Sequence, residues 1–428
     1  MKKNSIIKLA VAAALSGMAT CAGAGGFAIG TQSGSGTGNA FAGGAAAADD
    51  ASVAWSNPAA MTLLPSGKQV AGALHVLKPS FKYQDSGSTG FFSCTAPFPA
   101  CPGGNGGDGG DWAFVPNAFF AMDINPKLRL GVAINVPFGL VTEYEAGWRG
   151  AVTALKSEIK TMNINPSIAY EVTPAFSIGA GLSFQRLEAE LTAFGGAAAI
   201  GNINLGADDD GWGYNIGAMF RAGPGTRFGV HYRSSIKYNL EGDVVITGPG
   251  GALLGGNGAI TAALRVPETL SFSASHMLTS NWEIMGDITW TKWSRLQQLV
   301  VTRTSGPAAG TNFTTLGFGW DDSWRFGVGA NYKVNEQMKL RFGAAFDQTP
   351  TNDTFRTARL PDQDRTWLAF GMQYKVSKAG VIDWGYAHEF IKDASVRNAT
   401  TAPLPAGTLI GRFENKADIF SVQYSHSF

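Results

Sequence analysis

Charge is scarce in this chain: Asp, Glu, Lys and Arg make up 15% of its 428 residues, and the signs nearly cancel at a formal +1. No basic surplus recommends a nucleic-acid partner. Catalytic punctuation is also missing. The five histidines, His75, His231, His276, His388 and His426, are scattered, and neither H-E-x-x-H nor G-x-S-x-G occurs. The glycine-rich stretches GPGGALLGGNG and GGNGGDGGD carry no phosphate-loop lysine, and Asp208-Asp209-Asp210 lacks the spaced ligand set of a calcium loop. The chain is therefore expected to be no enzyme and to hold neither cofactor nor metal. Beyond its first 24 residues it also lacks any apolar run near the roughly 20 residues that a spanning helix needs.

What is abundant is glycine and aromatic side chain: 56 Gly, 27 Phe, 11 Trp and 10 Tyr. The start reads as a secretory leader over residues 1–24. Lys2 and Lys3 precede a largely apolar stretch, and Ala22-Gly23-Ala24 offers small residues for cleavage before Gly25. Met18-Ala19-Thr20 before Cys21 matches lipid attachment poorly. Cys94 and Cys101 then fall in an oxidising compartment and close a short loop, which favours a disulfide.

From residue 66 onward the recurring pattern is alternation. Phe420, Val422, Tyr424, His426 and Phe428 interleave with Ser421, Gln423, Ser425 and Ser427; Trp324, Phe326, Val328, Ala330 and Tyr332 interleave with Arg325, Gly327, Gly329, Asn331 and Lys333. A soluble sandwich also alternates, but its strands average about five or six residues. These runs are about ten residues or longer, the length of a tilted membrane strand, and Trp and Tyr mark their ends as an interfacial girdle does. Tight turns alternate with long Gly, Asp and Thr-rich connections. The count predicts an all-β transmembrane barrel of fourteen antiparallel strands over residues 66–428, with short turns and both termini on the periplasmic side. The expected strands are 67–85, 112–125, 128–145, 155–172, 175–193, 212–222, 226–247, 260–278, 281–303, 323–334, 337–349, 365–376, 380–398 and 417–428. Residues 25–65 do not alternate; their small residues, with Asp49-Asp50, Trp55 and a tight turn at Asn57-Pro58-Ala59, suggest short helices folded into the lumen as a plug.

One strand raises a question. In GVAINVPFGLVTEY, Gly131 to Tyr144, the alternation is interrupted by Pro137-Phe138-Gly139, although proline belongs at edges or bulges. The mature start GGFAIGTQSGSGTGNAFAGGAAAADDASVAWSNPAAM, together with VPFGLVTEYEAGWRGAVTALKSEIKTMNINPSIAYEV, HYRSSIKYNLEGD, RVPETLSFS and GDITWTKWS, resembles the FadL family of outer-membrane transporters of long-chain fatty acids, which also includes channels for aromatic hydrocarbons. The likeness covers nearly the whole mature chain. It implies a fourteen-stranded barrel plugged by a hatch, here Phe27 through Asn57-Pro58-Ala59, with ligand capture at external loops. It also implies a lateral opening at a kink in the third strand, here Pro137, Phe138 and Gly139. A strand broken there would open the wall, and a hydrophobic ligand could leave sideways into lipid. The expected function is passive uptake of long-chain fatty acids or similar compounds; aromatic-hydrocarbon uptake within the same family, or a general porin or surface barrel, stand as alternatives.

The residue phase adds a candidate pocket. Leu187, Ala189 and Leu191 fall on the odd phase above the even, lipid-facing Phe176, Ile178, Leu182 and Phe184. Either a bulge rotates the strand, or it has left the membrane and turns its apolar side inward. Trp293, Leu299 and Val301 behave similarly, so an apolar upper chamber is expected. A fatty carboxylate needs a compensating cation. Odd-phase Arg233, Lys237 and Arg265, with Arg186 if its strand bulges, are the candidates, and Glu268 is expected to turn inward by a local bulge. Other expected partners are outer-membrane lipid and the barrel-assembly machinery, through the C-terminal strand ending at Phe428, and the protein is expected to be a monomer.

Overall fold

The alternating runs form one antiparallel sheet closed on itself. The computed structural model describes residues 25–89, 103–196, 200–400 and 407–428. In chain order its barrel strands are β1 (Lys68–Asp85), β2 (Ala113–Asn125), β3 (Leu128–Asn135, resumed at Gly139–Glu143), β4 (Lys156–Thr173), β5 (Phe176–Phe194), β6 (Asn202–Arg221) and β7 (Thr226–Arg233, resumed at Ile236–Ile246). They continue as β8 (Gly258–Val266 and Thr269–Met277), β9 (Trp282–Thr291 and Gln298–Arg303), β10 (Asn312–Gly317 and Ser323–Lys333), β11 (Met338–Asp347), β12 (Arg365–Lys375), β13 (Gly380–Ile391 and Ala394–Thr400) and β14 (Gly407–Ser427). Closure is made by β14 on β1, from Gln69↔Ser427 to Asp85↔Gly411, so the fourteen strands form a closed barrel. The expected leader and the expected Cys94–Cys101 disulfide fall outside the described residues.

Side-chain period explains the two faces. Leu182, Ile216, Phe272, Val328, Leu368 and Phe420 all project outward and are exposed, as a lipid belt requires. Their odd-numbered neighbours Ser183, Asn215, Ser273 and Ser421 point inward and are buried.

Several strands depart from the expected spans. Strand β6 begins at Asn202, and β14 at Gly407, each about ten residues earlier than expected. The ladder from Arg186↔Asp210 to Phe194↔Asn202 runs on above the lipid, because a neighbouring strand satisfies the backbone whatever the side chains are. Asp208 to Asp210 are therefore strand residues. In addition, β7 breaks at Ser234-Ser235 and β8 at Pro267-Glu268, and each break reverses the parity of the inward face. Below the break in β7 His231 is buried, above it Ile236, Tyr238 and Leu240 are; in β8 Ser273 and Ser275 give way to Val266, Leu264 and Ala262.

The lumen holds the N-terminal segment. Short helices at Gly34–Thr37, Gly44–Ala46, Val53–Ser56 and Pro58–Leu63 pack against the inner wall. Ser33 accepts from Gly36 N, and Asn57 caps the last helix, with Pro58 at its first position. Close approach is possible because the facing wall positions are glycines. A Cβ at Gly217 would strike Asn57, one at Gly229 would strike the Ala45 carbonyl, and one at Gly343 the Asn39 backbone. Asp49 adds ion pairs to Lys339 at 3.2 Å and Arg341 at 3.0 Å, and Arg341 also holds Asp383 at 3.0 Å.

Candidate functional site: a broken strand beside an apolar chamber

The ladder between β2 and β3 runs up to Ala118↔Ile134 and stops there. Strand β2 nevertheless goes on pairing with β1 as far as Ala113↔Leu77, while the upper piece of β3 pairs with β4 from Gly139↔Lys160 to Glu143↔Lys156 and is tied on its other side at its top, where Glu143 N donates to Gly109 O at 3.0 Å. Between them the wall is unlaced. Proline at 137 removes one donor, and the remaining backbone groups of the kink find partners inside the barrel. Ile29 N donates to Pro137 O at 2.9 Å, and Gly139 N donates to Phe27 O at 2.9 Å. Gln32 Nε2 donates to Val136 O at 3.1 Å. Phe138 N donates to Thr161 Oγ1 at 2.9 Å, and that hydroxyl donates back to Phe138 O at 2.6 Å. The N-terminal segment thus serves as a short substitute strand for the kink.

Above the hatch the lumen is apolar. Phe27 packs edge-on against Trp293 at 5.0 Å and lies 5.7 Å from both Phe138 and Trp320, while Trp293 and Trp320 are 4.9 Å apart. Leu187, Trp293, Leu299 and Val301 are buried in this cluster, with Ala189 packed against it. No bulge rotates β5: its pairing with β6 is continuous from Phe176↔Phe220 to Phe194↔Asn202. The strand keeps its phase and its apolar side is inward once it leaves the lipid. Leu191 lines a separate cavity of about 130 Å³ near the mouth, with Ile203, Phe313, Leu316 and Arg359.

The four candidate cations separate. Arg233 reaches the lumen and lines a cavity of about 260 Å³ with Phe138, Trp293, Val266 and Trp55. Its guanidinium stacks on the Trp55 ring at 3.2 Å and donates to Trp55 O at 2.9 Å and Ser183 Oγ at 3.2 Å, all neutral partners. The other three do not join it. Arg186 ion-pairs with Glu188, Asp208 and Asp210 at 2.9, 2.7 and 3.2 Å, on the face opposite buried Gln185 and Leu187. Lys237 is exposed and sits opposite Arg265 in the ladder, and the buried neighbours Ile236, Tyr238, Leu264 and Val266 place both outside. The parity reversals at the two strand breaks are the reason. Glu268 is 6% exposed within its break and held by Arg295 at 2.7 Å.

Asn57, fully buried, accepts from Ala59 N at 3.1 Å and donates to Ala45 O at 2.7 Å and Ala218 O at 3.0 Å, so it locks the hatch turn to β6. Sequence reasoning missed Trp320 and Arg359, both in connections whose period carries no orientation. Among the described residues Arg359 donates only to neutral groups, Ser157 Oγ at 3.0 Å, Lys156 O at 3.2 Å and Thr192 O at 3.3 Å; burial pushes its guanidinium down to about 10.

Comparison with known proteins places this architecture. The Escherichia coli K12 "Long-chain fatty acid transport protein" is 27% identical with each chain fully covered. A Pseudomonas aeruginosa FadL homologue superposes with a TM-score of 0.87 at 24% identity, over 94% of this chain and all of that one. The Ralstonia pickettii toluene transporter TbuX gives a TM-score of 0.67 at 20% identity, over 95% of this chain and 99% of that one. At these identities the two structural matches establish the fold. The family model for "Outer membrane protein transport protein (OMPP1/FadL/TodX)" matches residues 15–428, and the chain belongs to this family of outer-membrane transport channels, which are not enzymes.

Proposed function

We propose that this chain takes up long-chain fatty acids or similar amphiphiles passively and releases them sideways through the gap at Pro137-Phe138-Gly139. The observation that carries the reading is the juxtaposition of the unlaced wall, the aromatic chamber and Arg233, which has no acidic partner among the described residues. An acyl chain is stabilised by leaving water for the chamber, and its carboxylate needs a cation to offset desolvation. Arg233 supplies one at the chamber floor, and Arg359 supplies one at the mouth, where the apolar cavity beside Leu191 and Phe313 suits first capture. The ligand then displaces Phe27 and its neighbours, and the kink loses its substitute strand. Removal of residues 1–24 as a leader, a lumenal hatch over 25–65 and assembly as a monomer through the Phe428 strand complete this reading.

The aromatic lining favours a second reading, hydrocarbon uptake, in which no cation is used. Titration of purified protein with oleate and with toluene, followed by tryptophan fluorescence, separates the two. Saturable oleate binding that weakens about tenfold or more in Arg233→Gln is expected for a charge-assisted contact. Toluene binding alone assigns the hydrocarbon reading, and binding of neither overturns both.

A further inference from the structure

Two cations are set directly opposite each other on the outer surface of the barrel. Lys237 on β7 and Arg265 on β8 are ladder partners, and among the described residues neither side chain is in an ion pair or a hydrogen bond. Like charges facing each other across a ladder repel. The carboxylates around them are engaged or distant. Towards β6, Asp208 and Asp210 are held by Arg186 at 2.7 and 3.2 Å. Towards β9, Glu268 is held by Arg295 at 2.7 Å with Lys292 at 3.6 Å, and Asp322 accepts from Ser294 N at 3.0 Å. Glu241, on the same face of β7, is four residues or about 13 Å further along the strand.

Depth along the barrel narrows what could neutralise the pair. Below the breaks in β7 and β8, Tyr232, Leu270 and Trp290 form one row across β7, β8 and β9, and Lys292 Nζ sits over the Trp290 ring at 5.7 Å. Aromatic rows of this kind mark the edge of the hydrocarbon. The next outward row, Val230, Phe272 and Ile288, is exposed to the acyl chains. These strands start from the tight turns at Ala222 to Thr226 and Leu278 to Trp282, so the aromatic row is at their outer end. Lys237 and Arg265 follow just beyond it, at headgroup depth, on stems long enough to snorkel.

We propose that Lys237 and Arg265 clamp the phosphate of a phosphorylated, several-chained lipid of the outer leaflet, whose acyl chains lie on the apolar face of β7 to β9 below. A phosphate between them turns a repulsion into two charge-assisted contacts, with the guanidinium as a planar fork and the ammonium as a point charge. The apolar face directly beneath selects a lipid over a soluble anion, which would use the cations alone. The breaks at Ser234-Ser235 and Pro267-Glu268 thereby serve both sides of the wall. They turn Ile236 and Val266 into the chamber and, in the same step, turn the cations out to the headgroups.

The test is titration of the full-length, delipidated protein in detergent with bis-phosphorylated lipid A, with bound lipid counted by native mass spectrometry and electrophoretic heat-modifiability showing that the barrel is folded. Each cation near an anionic lipid surface contributes about fivefold to binding, so Lys237→Gln and Arg265→Gln are each expected to weaken the first bound lipid by about that factor, and the double variant by about 25-fold. Lys82→Gln combined with Lys416→Gln removes the same charge from exposed positions on β1 and β14 and is expected to leave that affinity unchanged. Full affinity in the Lys237 and Arg265 double variant overturns the assignment. So does an equal loss in both double variants, which would mark unspecific attraction, or equal binding of lipid A stripped of its phosphates. Displacement of the lipid by inorganic phosphate at the same concentration would show a site for a free anion and overturn the lipid clamp.

Discussion

Truncating Phe27 to alanine tests whether the N-terminal segment is what holds the broken strand closed. Phe27 is 3% exposed and contacts three aromatic rings, with centroids between 5.0 and 5.7 Å away. Replacing a buried Phe by Ala costs about 3–5 kcal/mol. Here the loss falls on a short segment tied to the kink by two backbone hydrogen bonds, so it weakens docking and leaves the barrel ladders intact. At about 1.4 kcal/mol per decade, the undocked population rises roughly 10²–10³-fold. Hydrogen exchange reads this directly, because the amides of Ile29 and Gly139 are protected by Pro137 O and Phe27 O respectively. Both are expected to exchange about 10²–10³-fold faster in the variant, while amides in the β1–β2 ladder such as Ala121 keep their protection. Less than about a tenfold change at both positions, or equal acceleration throughout the barrel, would refute the substitute-strand argument.

Further outcomes follow from the hatch and the mouth. Gly217→Ala drives a Cβ into Asn57 and is expected to expel the hatch turn, making residues 34–63 accessible to protease without loss of the heat-stable barrel; undiminished protease resistance would refute the close-approach argument. Lys339 foremost, and then Arg341, hold the Asp49 carboxyl below its ordinary value of 3.8 against the opposing effect of burial. A depressed folded value means that the Asp49 anchor is fully present above pH 3.8 and is lost only as the pH falls through the folded value. Hatch protection from protease is therefore expected to be constant from about pH 8 to 5, and loosening near pH 6 would contradict this. Arg359→Met is expected to slow capture of oleate several-fold in vesicle uptake while leaving toluene entry unchanged; equal effects on both would show that the mouth cation does not select for charge.

The β-barrel, its strand count and its lipid-facing belt were legible in the sequence because a strand's side chains alternate faces with a period of two, and a lipid belt makes one face uniformly apolar. The break at Pro137 was legible because proline has no N–H for the ladder. The inward cations were not, apart from Arg233. Extrapolating the lower-strand parity put Lys237 and Arg265 in the lumen, but single breaks at Ser234-Ser235 and Pro267-Glu268 turn both outward. A local sequence does not display such a slip, since either parity satisfies the backbone, and which one is adopted depends on what the neighbouring strands and the apolar chamber can bury. Likewise, the sequence by itself determined that residues 25–65 were too small and aperiodic to join the sheet. Only the tertiary structure decided that Phe27 to Ile29 replace the missing ladder at the kink, and that Asp347 accepts from Gly25 N and Asp362 from Gly26 N. Each carboxylate is more than 300 residues along the chain from the glycine amide that it accepts from, and they meet only because the barrel closes around them.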